Sequence, residues 1–276
     1  MTEREIWIHD LDDPRLAPYR HLKTHNSTRD QDLFVLEGAK LFDRLLLSRY
    51  PVDTVLVSDR FVAEISPRVP AGVPLYVVAH AHVSEIVGFN FHQGVLACGR
   101  RQPPLDVEQL VKTAPAGAGS TLLVAPQVDN PENLGALVRI ADVFGVLAVV
   151  TGPRSPDPLS RRVLRVSMGT ALRVPVVTAS DLIATLDRLR RRHGYQVVAT
   201  VTSPAACALD AYAPPPSGRI ALAFGCEAHG LDKTWLAFSD QVLTIPMRPD
   251  AESLNLAVAA GIVTHHATRA LRPPPS

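Results

Sequence analysis

Arg219-Ile-Ala-Leu-Ala-Phe-Gly-Cys-Glu-Ala-His-Gly230 passes from an unbroken apolar run straight into a loop bounded by two glycines. The run 220–224 does not alternate apolar with polar residues. It reads as a strand buried on both faces, the pattern of a covered parallel sheet. Five more runs of this kind, 121–128, 147–151, 174–178, 196–201 and 242–246, recur in the second half of the chain. Helical stretches at 131–144, 160–169, 182–193 and 253–271 separate most of them. Strands alternating with helices predict an α/β fold with a parallel sheet over residues 120–272.

Upstream, apolar runs at 33–36, 52–57, 75–78 and 94–98, with leucines at helical spacing within 39–48, describe a smaller α/β module over residues 1–103. Gln-Pro-Pro at 102–104 and Ala-Pro-Ala-Gly-Ala-Gly-Ser at 114–120 bracket one short helical segment. Proline and glycine at that density make 104–119 a linker.

With 46% hydrophobic and 20% charged residues, the 276-residue chain can bury a sizeable core. Its formal net charge of +1 excludes a generally basic coat for nucleic acid, so such a partner needs a local patch. Cys98, Cys207 and Cys226 are far apart and form no Cys-x-x-Cys pair. That argues against a zinc site or a disulfide framework and suits a reducing compartment. A charged N-terminus and the lack of any apolar run of about 18 residues predict a cytoplasmic protein with no secretory signal and no membrane span.

A glycine-bounded loop at the carboxyl end of a parallel strand is where α/β proteins usually bind ligands. It is not Gly-x-Gly-x-x-Gly, so no dinucleotide fingerprint is present. Glu227 reads equally as a functional acid or as a cap of the turn, and His229 more as a turn residue than a base. The stretch Ile245-Pro-Met-Arg-Pro-Asp-Ala-Glu-Ser-Leu-Asn-Leu256 repeats the layout of strand end, loop and helix start. Ser253 suits the N-cap, which would place Asn255 in the first turn of an otherwise apolar helix. A buried asparagine there is costly without hydrogen bonds.

In Asn130-Pro-Glu-Asn-Leu-Gly-Ala-Leu-Val-Arg139, Asn130 suits an N-cap, Pro131 the first helical position, and Gly145 the residue after the end. Leu134, Leu137, Val138, Ala141 and Phe144 share one face; Glu132, Gly135, Arg139 and Asp142 share the other. Taken alone, this is an ordinary amphipathic helix with Arg139 in a surface ion pair. Gly135 weakens that reading, because a mid-helix glycine costs about 1 kcal/mol against alanine. Arg154, Arg161, Arg162, Arg165 and Arg173 fall close together with Asp157 as the only acid among them. They form either a solvated face or a phosphate-contacting patch.

As an ordered set, these segments resemble the three motifs of the SpoU/TrmH family of SPOUT RNA 2′-O-ribose methyltransferases. Asn133, Gly135 and Arg139 match the first motif, and Gly225, Glu227 and Gly230 the second. Ile245, Pro246, Met247, Ser253, Leu254 and Asn255 match the third, and the segment Arg165–Pro175 resembles the family's intervening Ser-x-Gly…Pro piece. The first module is similar to the RNA-substrate-binding domain often fused to these enzymes, with Phe34-Val-Leu-Glu-Gly38 its clearest piece. One departure is Cys226, where many members carry asparagine; a thiol replaces an amide poorly as a hydrogen-bonding group.

The resemblance implies a trefoil-knotted parallel sheet, S-adenosylmethionine (AdoMet) as cofactor, no metal, and a homodimer formed through the C-terminal domain. It implies catalytic roles for Asn133, Arg139, Glu227 and Asn255. It implies cofactor binding by Gly225, Ile245, Met247, Ser253 and Leu254; lying beside that site, the basic cluster is then expected to bind RNA phosphate through Arg154, Arg161, Arg162 and Arg165 rather than to form a solvated face. Ribosomal RNA is expected as substrate over transfer RNA, because an added domain suits a folded RNA segment. A non-catalytic RNA-binding or ribosome-assembly factor is the competing reading, and joint retention of Arg139, Glu227 and Asn255 disfavours it. A Rossmann-type enzyme would need a glycine fingerprint after 121–125, and Ala125-Pro-Gln-Val128 offers none.

Overall fold

A computed structural model describes residues 5–20, 22, 28–91, 93–114, 120–226, 229–248 and 250–269. Glu227, residues 115–119 of the expected linker, and 270–272 at the end of the expected second domain lie outside the described residues.

The first strands are β1 (Glu5–Trp7), β2 (Leu33–Glu37), β3 (Val52–Ser58), β4 (Leu75–Val78) and β5 (Val95–Arg100). They are followed by β6 (Thr121–Ala125), β7 (Ala148–Thr151), β8 (Val176–Thr178), β9 (Gln196–Val201), β10 (Cys207–Ala208), β11 (Ile220–Phe224) and β12 (Gln241–Thr244). The helices are α1 (Ala39–Leu46), α2 (Val62–Ile65), α3 (His80–Val87), α4 (Val107–Thr113) and α5 (Pro131–Val143). After them come α6 (Arg161–Val166), α7 (Leu182–His193), α8 (Lys233–Phe238) and α9 (Leu256–Thr268).

The chain forms two compact units: Met1–Pro103 with Leu159–Arg173, and Pro104–Pro158 with Val174–Ser276. In the first unit a mixed sheet runs β1-β4-β3-β5-β2, with β5 antiparallel to both its neighbours. Helix α6 packs on β2 within this unit. The edge strand β1 pairs with β4; three residues are too few to show a period in sequence.

The second unit holds seven strands in the order β10-β12-β9-β11-β6-β7-β8, and every pairing is parallel. Along β6 and β11 all residues are buried, as their almost wholly apolar sequences require of strands covered on both faces. Leu122, Val124, Ala221 and Ala223 pack with Leu182, Leu186 and Leu189 of α7 and Val107 and Val111 of α4. The alternate residues Leu123, Val149, Val198 and Leu222 point the other way and are equally buried. On that side α5 and α9 pack against each other, α5 on β7 and α9 on β11. Each fully buried leucine contributes about 1.5–3 kcal/mol to stability. This rigid sheet fixes where the loops after β9, β11 and β12 leave its carboxyl edge.

Two local readings change. Gly135 is buried with Leu134 and Val138 rather than exposed beside Arg139. The last helix begins at Leu256 with Asn255, not Ser253, as its N-cap. Serine and asparagine are both good caps, and a tertiary partner of Asn255 decides between them.

Candidate active site

The loop after β11 turns back on itself at once. Gly230 N–H donates to the Cys226 carbonyl at 3.0 Å, and these two residues form an isolated antiparallel bridge. Gly225 lies against the returning strand of that loop. A Cβ on it would sit 2.2 Å from the Gly230 carbonyl carbon and 2.5 Å from the Leu231 nitrogen, both backbone atoms that cannot swing away. Only glycine permits that approach. Cys226 Sγ lies 3.9 Å from the Gly230 carbonyl oxygen, so its thiol faces the loop's own backbone.

Asn255 meets the first turn of α9 and the helix α5 together. Its Oδ1 accepts from the backbone N–H of Ala257 at 2.9 Å and of Val258 at 3.4 Å, satisfying donors that a helix start leaves open. Its Nδ2 donates to Asn133 Oδ1 at 3.1 Å. The cap bonds settle which end of the amide faces Asn133. The third motif is thereby tied to the first; Asn255, expected from sequence to be buried, is instead exposed at the helix start and held there by these hydrogen bonds.

Gly225, Ile245, Met247, Ser253 and Leu254, the five residues expected at the cofactor, line one cavity of about 410 Å³. Its other walls include Thr200 of β9 and Thr202 just beyond it, Leu231 after the loop, and Ala259 and Val263 of α9. Those residues carried no sequence signal, because nothing local marks the end of β9 as adjacent to α9. Apolar walls with a few hydroxyls and exposed loop backbone fit a ligand that is partly aromatic and partly polar. An adenosine with a sulfonium-bearing chain has that character, and the missing Cβ of Gly225 leaves the loop close enough to line its site.

Asn133 is buried on α5, while Arg139, six residues on, is exposed and forms no ion pair with a described residue. The surface pair open to Arg139 in sequence is therefore not made. At 1.5 Å of rise per residue, Arg139 is about 9 Å further along the helix than Asn133, and it does not line the cavity. Arg154 is exposed in the second unit, whereas Arg161, Arg162 and Arg165 belong to α6 in the first. Arg161 is already engaged there: Nη1 donates to the Leu22 carbonyl and Nη2 to Glu37 Oε2, both at 2.9 Å. Its guanidinium also lies 4.4 Å above the Phe89 ring. Among the described residues no group of three or more His, Cys, Asp or Glu is placed to hold a metal, and no helix is long and apolar enough to cross a membrane.

Residues 120–265, which contain all three motifs and the cavity, match the SpoU rRNA Methylase family. Over 94% of this chain and 90% of the relative, the sequence is 37% identical to a tRNA/rRNA methyltransferase of Mycobacterium tuberculosis. It is 29% identical to the 23S rRNA (guanosine(2553)-2′-O)-methyltransferase RlmP of Bacillus subtilis, over 94% of this chain and 98% of that one. Among solved structures, an AdoMet-bound rRNA methyltransferase from Sinorhizobium meliloti matches with a TM-score of 0.81 at 26% identity, covering 98% of this chain and all of the other. With its family model spanning the whole second sheet, the chain belongs to the SpoU rRNA methylase family.

Proposed function

We propose that this protein transfers the methyl group of S-adenosylmethionine to a ribose 2′-hydroxyl of ribosomal RNA. The observation that carries the proposal is the Asn133–Asn255 hydrogen bond. It joins the helix bearing Arg139 to the rim of the cavity built by the other two motifs. The names of the relatives support ribosomal RNA as the substrate, and methylation of that RNA suits a cytoplasmic location.

When bound, the cofactor supplies an electrophilic methyl on sulfur. The chain's own residues must hold the hydroxyl in line with it and ease loss of the proton, a task of positioning and electrostatics. Backbone at Gly225, Ile245 and Leu254 holds the adenosine part, with Met247 and Ser253 completing the wall. Arg139 braces the reacting 2′-oxygen or its adjacent phosphate, where a fixed guanidinium stabilises developing negative charge. Asn133 and Asn255 fix the start of α5 and hence the line along which Arg139 projects. Glu227 organises the site from the second motif. Arg154, Arg162 and Arg165 bind RNA phosphates; no metal takes part. A trefoil knot threaded through the loops after β11 and β12 belongs to the same proposal.

Dimerisation completes it. Val143 is 67% exposed on α5, one turn from Arg139, and Val258 and Ile262 are exposed on the adjoining α9. Residues four apart share a helix face, so an apolar patch flanks Arg139. Apolar residues so placed suit a symmetric interface through α5 and α9.

In vitro transcribed 23S rRNA incubated with the protein and radiolabelled AdoMet tests the function. Label is expected in alkali-resistant dinucleotides, because a 2′-O-methyl group blocks hydrolysis of the adjacent phosphodiester. Label confined to bases, or none on rRNA, refutes it.

A further inference from the structure

The first unit contains a cleft of about 980 Å³, larger than the cavity described above. Lys40, Arg162, Arg165 and Arg161 bring positive charge to it, and Asn90 and Gln93 bring two amides. Glu37 and Gly38, the last two residues of the motif Phe34-Val-Leu-Glu-Gly38, line it. Glu37 clamps Arg161 through Oε2, and Gly38, at φ +97°, leaves the space that Gln93 occupies. A Cβ on Gly38 would come within 3.0 Å of Gln93 Oε1. Clamped by Glu37 and the Leu22 carbonyl, the Arg161 guanidinium lies over Phe89 as a flat, fixed wall. Its Nε–H is buried and has no hydrogen-bond partner among the described residues.

The geometry points to a docking site for one unpaired nucleotide of the RNA substrate, its phosphate on Lys40 and Arg165 and its base against the Arg161–Phe89 wall. This rests on the RNA reading of the second unit and extends it to a separate recognition element. The volume lies within the range of sites that enclose a ligand, about 300–1,000 Å³, unlike the open surface that a duplex needs. Duplex RNA is read mainly by shape and backbone across a shallow groove. Unpaired bases are stacked on aromatic rings or guanidinium planes and bonded along their edges. The amides of Asn90 and Gln93 each offer a donor and an acceptor for such an edge.

Two variants separate the parts of the site. Lys40→Ala/Arg165→Ala removes the phosphate contacts, and Gln93→Leu removes a base-edge contact while keeping the side chain's bulk. Filter binding to in vitro transcribed 23S rRNA is measured at several salt concentrations, with AdoMet affinity as a control for folding. The double variant is expected to bind about tenfold more weakly and to lose about 0.7–1.4 from the slope of log affinity against log salt. Gln93→Leu is expected to weaken binding with the slope unchanged. Ultraviolet cross-linking of 4-thiouridine-substituted 23S rRNA is expected to leave nucleotide adducts on the peptide containing Asn90 and Gln93.

Wild-type affinity and slope in both variants, or adducts confined to the second unit, overturn the cleft while leaving the methylation reading intact. Tight rRNA binding that the variants weaken, without any methyl transfer by the wild type, sinks the enzymatic reading and keeps the cleft. A wild-type protein that binds no rRNA overturns both.

Discussion

Asn255 uses its two amide ends for two tasks: Oδ1 caps α9 at Ala257 and Val258, while Nδ2 reaches Asn133 Oδ1 on α5 at 3.1 Å. Stability and site alignment therefore pass through one side chain. Serine caps a helix as well as asparagine but is too short to reach Asn133. Asn255→Ser is expected to keep the melting temperature close to wild type and to lower methyl transfer about tenfold to a hundredfold. Asn255→Ala is expected to lose about 1 kcal/mol of stability as well. Thermal denaturation beside single-turnover kinetics reads both effects; equal activity in Asn255→Ser and wild type contradicts the alignment role.

Gly225→Ala places a methyl 2.2 Å from the Gly230 carbonyl carbon. The second-motif loop must then move off β11 and deform the cavity it lines. AdoMet affinity is expected to fall at least about tenfold, roughly 1.4 kcal/mol, with the sheet still folded. Calorimetric titration giving an affinity within twofold of wild type counts against the loop's role in the cofactor site.

Arg161 and Arg165 stand on the same short helix with different surroundings. Arg161→Ala strands Glu37, the Leu22 carbonyl and one face of Phe89, and should destabilise the first unit by about 1–2 kcal/mol. Arg165 is exposed, so its alanine variant should leave stability unchanged and weaken RNA binding. Chemical denaturation and rRNA binding on both variants check this; the opposite assignment of effects refutes it.

Much of the fold could be read from sequence because strands such as 121–125 and 220–224 are buried on both faces and are thus almost wholly apolar, Thr121 being the exception. The site was legible where a turn demands a residue type, as at Gly225, or where a polar residue interrupts an apolar helix start, as at Asn255. What sequence hid are pairings across long separations. Glu37 and Arg161 are 124 residues apart, and no local pattern announces that 159–173 packs with the first unit. Likewise Ser253 and Asn255 are both good caps, and Asn133, on another helix, selects the second.

Acid should expose another anchor. Glu108 on α4 faces Arg192 and His193 of α7 and Lys112 of its own helix. The hydrogen bond from Arg192 is the main cause that holds its carboxyl below the ordinary value of 4.5, with His193 adding to it and burial opposing. A depressed folded-state value means the ion pairs stabilise above about pH 4.5 and are lost as pH falls through that lowered value. The stability gap between wild type and Glu108→Gln should be present at about pH 5.5 and close as pH falls below about 4.5. Urea unfolding across that range checks it; a gap that widens in acid has the wrong sign.

The most direct measurement compares Arg139→Ala with wild type in AdoMet binding and in methyl transfer to in vitro transcribed 23S rRNA, on the same preparations. Because Arg139 is exposed on α5 and does not line the cavity proposed for the cofactor, AdoMet affinity is expected within about twofold of wild type. Transfer is expected to fall by about a hundredfold to a thousandfold, the usual loss for one transition-state donor. Wild-type turnover by Arg139→Ala would contradict the assignment of the reacting hydroxyl to this arginine.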